Sequence, residues 1–351
     1  MRILFIDLTT GLDSFLDLKT RGRGGMVSSL LLLPDALSKL NNECFVFSDS
    51  KSGGTTARGT TWLIDADWEW IAKQKWDFLI LNRQTYGEGF PDLHSKHRVL
   101  WTHDMVHSGW APNPERLKML SVTVFMSAYS EETWRAYYKD IGRSFQIPNG
   151  VDRELFKPGA KDWDSMIYLS APNRGLAHLP VILDTVREAT KREIKLTAFS
   201  NMATMHPKEP GEKFSGMYEE VKAAGVDLRD PVPQEVIAGH LARAGLMVKP
   251  SDFAETCSNT TLQSLSCGTP IITSAVGADK EWILHRRNGM IQKHTLADGP
   301  LFILEFCRDV IEVLQNPRLH DCMVKNAPKS LGLFTWEEIG QKWNRMFNQI
   351  F

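Results

Sequence analysis

Short runs of β-branched and aromatic residues alternate along the whole chain with longer segments of helical period, and this rhythm constrains the fold more than any other feature. The first half predicts strands at 3–8, 44–48, 78–82, 99–103, 123–127 and 145–148, with helices at 25–40, 67–75, 114–120 and 131–139. The second half predicts strands at 166–170, 195–200, 226–229, 246–250, 271–274 and 289–292. Its helices fall at 179–191, 215–224, 234–244, 260–267, 301–315 and 336–347. Strands that alternate with helices pair in parallel and are buried on both faces. Twelve such strands exceed one comfortable sheet, and 351 residues suit two domains at roughly 150 residues each. The expected class is therefore α/β with two Rossmann-like, doubly wound domains.

The break belongs near residues 150–162, where Pro148, Asn149, Gly150, Pro158 and Gly159 cluster between two strands as turn chemistry. This predicts an N-terminal domain over 1–155 and a second over 156–334. Doubly wound sheets take ligands beyond the carboxyl ends of their strands. Two such domains facing each other would put both strand-end surfaces on a central cleft.

Charge excludes one class of partner. Lys plus Arg is 41 and Asp plus Glu is 42, a net charge of −1, which argues against a protein that coats nucleic acid. The longest aliphatic run is Leu30–Leu33, too short to span a bilayer, and MRILFIDL has no signal-peptide core. The 5 cysteines (44, 257, 267, 307, 322) include no CxxC pair and read as free thiols of a cytoplasmic protein.

The segment Pro250–Ser274, PSDFAETCSNTTLQSLSCGTPIITS, carries the most chemistry. A strand ends near Lys249, a polar loop follows, and Ser258 or Asn259 is a suitable N-cap for a helix that stops at Gly268 before Pro270. Backbone N–H groups and dipole at that helix start make a phosphate site that needs no lysine. Glu255, in the preceding loop, suits a polyol, since a carboxylate accepts two hydroxyl hydrogen bonds. Gln263 lies one turn into the helix.

These residues resemble the donor-binding segment of retaining GT-B glycosyltransferases of family four (glycosyltransferase group 1). The family pattern is a Glu, seven residues, a second Glu, then Ala/Cys-Gly-Thr-Pro. Glu255 and Cys267-Gly268-Thr269-Pro270 match, while Gln263 replaces the second Glu. The resemblance implies that Glu255 contacts donor-sugar hydroxyls, Gln263 the ribose, and the amides of Asn259 and Thr260 the phosphates. Pro148-Asn149-Gly150-Val151-Asp152 with Phe156 and Pro158 is similar to the family's interdomain signature. Gly24-Gly25 resembles its glycine pair, where a missing Cβ admits a ligand. The spacing is no dinucleotide fingerprint, because Val27 stands where a third Gly belongs.

Arg174-Gly175-Leu176, within SAPNRGL, resembles an S-x-P-x-R-G-L variant of the diphosphate loop. Arg174 takes the family's cation position, and Leu169 stands where a second cation would be, with Ser170 as a partial substitute. His103-Asp104 resembles the pair facing the donor sugar. Ser127 matches the Ser at the next strand end, and the turn at Val232 matches the loop beside the nucleobase. Thr335 and Glu338 form a capping box that opens the last helix, which resembles the one crossing back to the N-terminal domain over 335–351.

The implied activity is transfer of a hexose from a UDP- or GDP-sugar to a glycan, lipid-linked glycan or small-molecule acceptor, with retention. Glu255, His103 and Arg174 form the catalytic set; Gly25, Ser170, Arg174, Val232, Glu255, Asn259, Thr260 and Gln263 hold the donor. No metal cofactor is implied, although His94, His97 and His107 lie close in sequence, and no nucleic-acid partner is expected. The alternative is a degenerate GT-B protein that binds a sugar nucleotide without catalysis, which Gln263 and Leu169 motivate. An NAD-dependent dehydrogenase would share the rhythm, but this chain lacks the glycine fingerprint that such an enzyme needs. The tryptophans Trp62, Trp68, Trp70 and Trp76, with Trp101 and Trp110 expected to be exposed, weakly suggest peripheral contact at the inner face of a membrane.

Overall fold

A computed structural model describes residues 1–9, 24–85, 93–106, 111–202, 211–332 and 334–351. Residues 21–23 and 86–89, His107 and Trp110 fall outside them. Elements are numbered in chain order. The first unit contains β1 (Arg2–Asp7), α1 (Gly25–Ser38), β2 (Glu43–Ser48), β3 (Gly54–Thr55), β4 (Thr61–Leu63), α2 (Trp68–Lys73) and β5 (Trp76–Asn82). It continues through β6 (Ser95–Trp101), α3 (Pro114–Leu117), β7 (Val122–Phe125), α4 (Ala128–Tyr137) and β8 (Ser144–Gln146).

The second unit, Val151–Gly332 with Gly24, begins with β9 (Asp162–Leu169), α5 (Leu179–Thr190), β10 (Lys195–Phe199), α6 (Ser215–Ala223) and β11 (Asp227–Arg229). It ends with α7 (Gln234–Arg243), β12 (Ala244–Lys249), α8 (Asn259–Ser266), β13 (Ile271–Ser274), α9 (Asp279–Trp282), β14 (Gly289–Gln292), α10 (Pro300–Gln315) and α11 (Pro317–Ser330). The last helix, α12 (Trp336–Ile350), belongs to the first unit.

The first sheet runs β3-β4-β2-β1-β5-β6-β7-β8, parallel except where β3 meets β4. The second runs β11-β10-β9-β12-β13-β14 and is parallel throughout. The fold class is thus two Rossmann-like sheets. Their central strands are apolar on both faces, as helix-covered parallel strands must be: β1 buries five of its six residues and β12 all six. Helices supply the covering stripes. In α5, Leu179, Ile182, Leu183 and Val186 recur at one face and join a core with Phe302, Phe306 and Val310 of α10. Burying each such side chain contributes roughly 1.5–3 kcal/mol.

Several element expectations need correction. Strands β3 and β4, two and three residues long, were absent from the pattern, as was α11, whose polar sequence carries Pro328 inside the helix. Strand β6 stops at Trp101, so His103 and Asp104 lie beyond its end. Trp101 is 1% exposed and packs edge-on against Trp343 of α12 with ring centroids 5.5 Å apart. Trp62 and Trp76 are buried too, and no helix among the described residues is long and apolar enough to cross a membrane.

Helix α12 lies against α1. A Cβ on Gly340 would sit 3.3 Å from Ala36, so small residues set this close approach. The pairs Lys39–Glu337 (2.8 Å) and Asn42–Asn344 (3.3 Å) flank it. Gly150 of the PNGVD turn meets the start of the same helix: a Cβ there would stand 2.7 Å from Trp336 Cδ2. That glycine is a packing requirement within the first unit.

Candidate functional site

In the second sheet the strand order reverses between β9 and β12, and a ligand site is expected where the loops leaving those strands meet. They meet closely. Gly175 adopts φ +103°, and a Cβ on it would stand 2.0 Å from the Pro250 carbonyl oxygen. Only glycine tolerates both conditions. The turn Pro172–Arg174 ahead of it is tied back to β9, because the buried Tyr168 hydroxyl donates to the carbonyls of Ala171 (2.9 Å) and Arg174 (3.1 Å).

This arrangement aims Arg174 across the switch point. Its guanidinium carbon lies 3.8 Å from the ring centroid of Phe253, and Nη1 donates to Glu255 Oε1 at 3.2 Å. Stacking on an aromatic face and pairing with a carboxylate fix a planar cation. Its Nε is buried and has no hydrogen-bond partner among the described residues. A buried donor left open is costly and marks a place for an acceptor.

Glu255 is held from three sides. A second cation, Lys249 at the end of β12, reaches the same Oε1 at 3.2 Å. The Glu255 carbonyl accepts from Ala278 N–H at 2.8 Å, and a Cβ on Gly277 (φ +67°) would stand 2.6 Å from Glu255 N. Burial opposes the charge on Glu255, but Lys249 and Arg174 outweigh it and hold the carboxyl below the ordinary range. It is therefore an ionised acceptor at neutral pH.

Beside this carboxylate stands Lys249, the residue that sequence reasoning passed over. Its side chain is 1% exposed, and its ammonium donates to Asp279 Oδ2 (2.7 Å) and Ser258 Oγ (2.9 Å) besides meeting Glu255. Burial alone would discharge it, but Asp279 and Glu255 raise its pKa instead. The available signal was a lysine closing an otherwise apolar strand; its partner thirty residues on was not readable.

Helix α8 starts as expected. Ser258 is the N-cap, its Oγ accepting from Thr261 N–H at 3.4 Å and lying 3.2 Å from Thr260 Oγ1. The first-turn amides of Asn259 and Thr260 point out of the helix end, where a phosphate is favoured. Ser170 follows β9 half-buried at the Tyr168 hydroxyl, and Gln263 is half-buried one turn into α8. Val232 lies half-buried in the turn before α7 and has no hydrogen bond to this cluster among the described residues. Leu169 is buried at the end of β9.

The first sheet reverses between β1 and β5. There Asp7 accepts from Thr9 N (2.7 Å) and Oγ1 (2.9 Å) and from Asn82 Nδ2, and burial raises its pKa despite these contacts. Arg83, at φ +69°, grips Asp104 through Nε (2.6 Å) and Nη2 (3.0 Å). Asp104 is therefore engaged by Arg83 in this unit. The His103 imidazole tilts against Trp101 at 4.4 Å, and burial depresses its pKa to about 3, so it is neutral at pH 7. Ser127 is spent as the N-cap of α4, accepting from Ser130 N–H at 3.0 Å. Gly25 is the exposed first residue of α1, and a Cβ on its neighbour Gly24 would meet no atom within 4 Å. His97 stacks on Phe78, and no group of three metal-ligating side chains exists among the described residues.

Residues 171–314 match the family Glycosyl transferases group 1. The fold is shared with sucrose-phosphate synthase of Thermosynechococcus elongatus (17% identity, covering 100% of this chain and 99% of that one, TM-score 0.78). It is shared with HepE of Anabaena in complex with UDP-glucose (14%, 99% and 100%, TM-score 0.72). WaaG, a glycosyltransferase involved in lipopolysaccharide biosynthesis, is a third (11%, 98% and 99%, TM-score 0.67). No curated protein sequence matches. These likenesses make the architecture GT-B.

Proposed function

We propose that the protein transfers a sugar from a nucleotide diphosphate donor, held at the carboxyl end of the second sheet, to a carbohydrate-type acceptor. The observation that carries this reading is the Arg174 guanidinium, stacked on Phe253 and paired with Glu255, with a buried N–H left open at the switch point. The domain match over 171–314 and the fold shared with a UDP-glucose complex support it.

In this reading Arg174 and the N-terminal amides of α8 receive the charge that grows on the departing diphosphate, the electrostatic role that dominates such reactions. Glu255, ionised, accepts hydroxyls of the donor sugar. Gln263 meets the ribose through an amide, Ser170 supplements the phosphate contacts, and Val232 borders the base. In the first unit His103 is a neutral hydrogen-bonding group for a sugar hydroxyl, and Gly25 leaves space for a ligand at the start of α1. The charge on the donor is met by protein groups, so no metal is required. The transferred group is a hexose, the configuration is retained by same-face attack with the leaving phosphate assisting, and no side chain serves as a nucleophile.

The test is a panel of UDP-, GDP- and ADP-sugars read by thermal stabilisation and nucleotide release. One donor should stabilise and turn over, and Arg174→Ala and Glu255→Ala should each lower turnover by about a hundredfold. Absence of any response, or full activity in both variants, overturns the proposal. Binding without release across many acceptors would place the protein in the degenerate class.

A further inference from the structure

The most deeply buried cation among the described residues is the ammonium of Lys249, 1% exposed. A lysine ammonium has three hydrogens and tolerates burial only when each finds an acceptor. Three oxygens surround it: Asp279 Oδ2 at 2.7 Å, Ser258 Oγ at 2.9 Å and Glu255 Oε1 at 3.2 Å. They come from the start of α9, the N-cap of α8 and the β12–α8 loop.

Asp279, 4% exposed, accepts in turn from Thr261 Oγ1 at 2.8 Å. The ammonium therefore joins the first turn of α8, through both Ser258 and Thr261, to the carboxylate of Glu255. Asp279 alone would neutralise the ammonium, and the third hydrogen could have been met by any hydroxyl or carbonyl. The third contact falls on Glu255 Oε1, the oxygen that Arg174 also meets. Two cations, one at the end of β12 and one in the turn after β9, thus fix one carboxylate oxygen against rotation, while the same lysine locks the start of α8.

We propose that Lys249 is a positioning residue for Glu255, setting the carboxylate for the donor sugar and keeping it in register with the α8 N-terminus. The inference rests on the donor-site reading above. Asp279 and Thr261 act as supports of the lysine. Because Glu255 is assigned to the sugar and α8 to the diphosphate, loss of Lys249 should separate the two: the sugar's contribution falls while the nucleoside diphosphate still binds.

The experiment compares wild type with Lys249→Met/Asp279→Asn, which removes both buried charges together and keeps an acceptor for Thr261. Thermal unfolding is followed with UDP against UDP-glucose and with GDP against GDP-mannose, and kcat and KM are measured for whichever sugar nucleotide is turned over. The expected result is a folded variant, stabilised by the diphosphate as wild type is, that loses the extra stabilisation due to the sugar. Its kcat should fall about tenfold or more with KM within about twofold. Lys249→Arg, which restores the cation, should recover most of the loss. A folded double variant that keeps the sugar's increment and wild-type kcat overturns the proposal, as does a folded Lys249→Arg protein that recovers nothing. Wild type stabilised by none of the nucleotides or sugar nucleotides is a different result, and it overturns the donor-site reading with it.

Discussion

Gly175 and Pro250 are in backbone contact: a Cβ on the glycine would stand 2.0 Å from the proline carbonyl oxygen, at φ +103°. The two loops that carry Arg174 and Glu255 are thereby placed by the absence of a single side chain. Gly175→Ala must displace one loop and adopt a strained φ, at a cost of roughly 2–4 kcal/mol. Urea unfolding should show this loss, and donor-induced stabilisation should vanish with it. An alanine variant of unchanged stability would show that the loops separate readily.

Arg174→Lys keeps the charge and discards the plane. The guanidinium lies 3.8 Å from the Phe253 centroid and donates to Glu255. An ammonium cannot stack and donate laterally in that way. Donor affinity should fall about tenfold, one lost charge-assisted contact, with little change in melting temperature. Calorimetric titration with the donor nucleotide checks it.

His103 should shape the acid limb of stability. Burial depresses its pKa to about 3, with Asp104 opposing and Arg83 assisting, whereas an unfolded histidine titrates near 6.5. The unfolded chain therefore binds the proton first, so stability is complete above pH 6.5 and declines as pH falls toward 3. The slope from this group approaches about 1.4 kcal/mol per pH unit. Denaturant unfolding from pH 7 to 4 should fall less steeply in His103→Gln than in wild type. Transfer rates should show no histidine titration between pH 5 and 8.

Lys161 clamps the second unit by its own means. Its Nζ donates to the carbonyls of Leu241 (3.0 Å), Ala242 (2.9 Å) and Cys267 (2.9 Å) and to Thr269 Oγ1 (2.7 Å). The carbonyls belong to the ends of α7 and α8, where helices leave acceptors unpaired and favour a cation. Lys161→Met should cost about 3 kcal/mol in urea unfolding, leaving donor binding by the folded fraction intact.

What was legible in the sequence was local. The runs 3–6 and 78–81 coincide with strands because a buried parallel strand is apolar on both faces, and Ser258 was readable as a cap because capping is decided within three residues. Gly54–Thr55 and Thr61–Leu63 were not legible because strands of two and three residues carry no period. The long-range pairs were invisible for a different reason. Nothing near Lys249 announces Asp279, and nothing in PNGVD announces that Gly150 is small because Trp336 needs the space. Nothing near Asp104 announces that Arg83 grips its carboxylate, a pair brought together by the pairing of β5 and β6.

The return of α12 to α1 has a consequence for biosynthesis. The first sheet is translated before any of the second, yet the helix that covers Ala36, Phe78 and Trp101 is translated after all of it. On the ribosome, the second unit can fold while the apolar side of α1 still waits for its cover. That interval is when the nascent chain is most open to chaperones and to aggregation, and its length is set by the whole of 151–332.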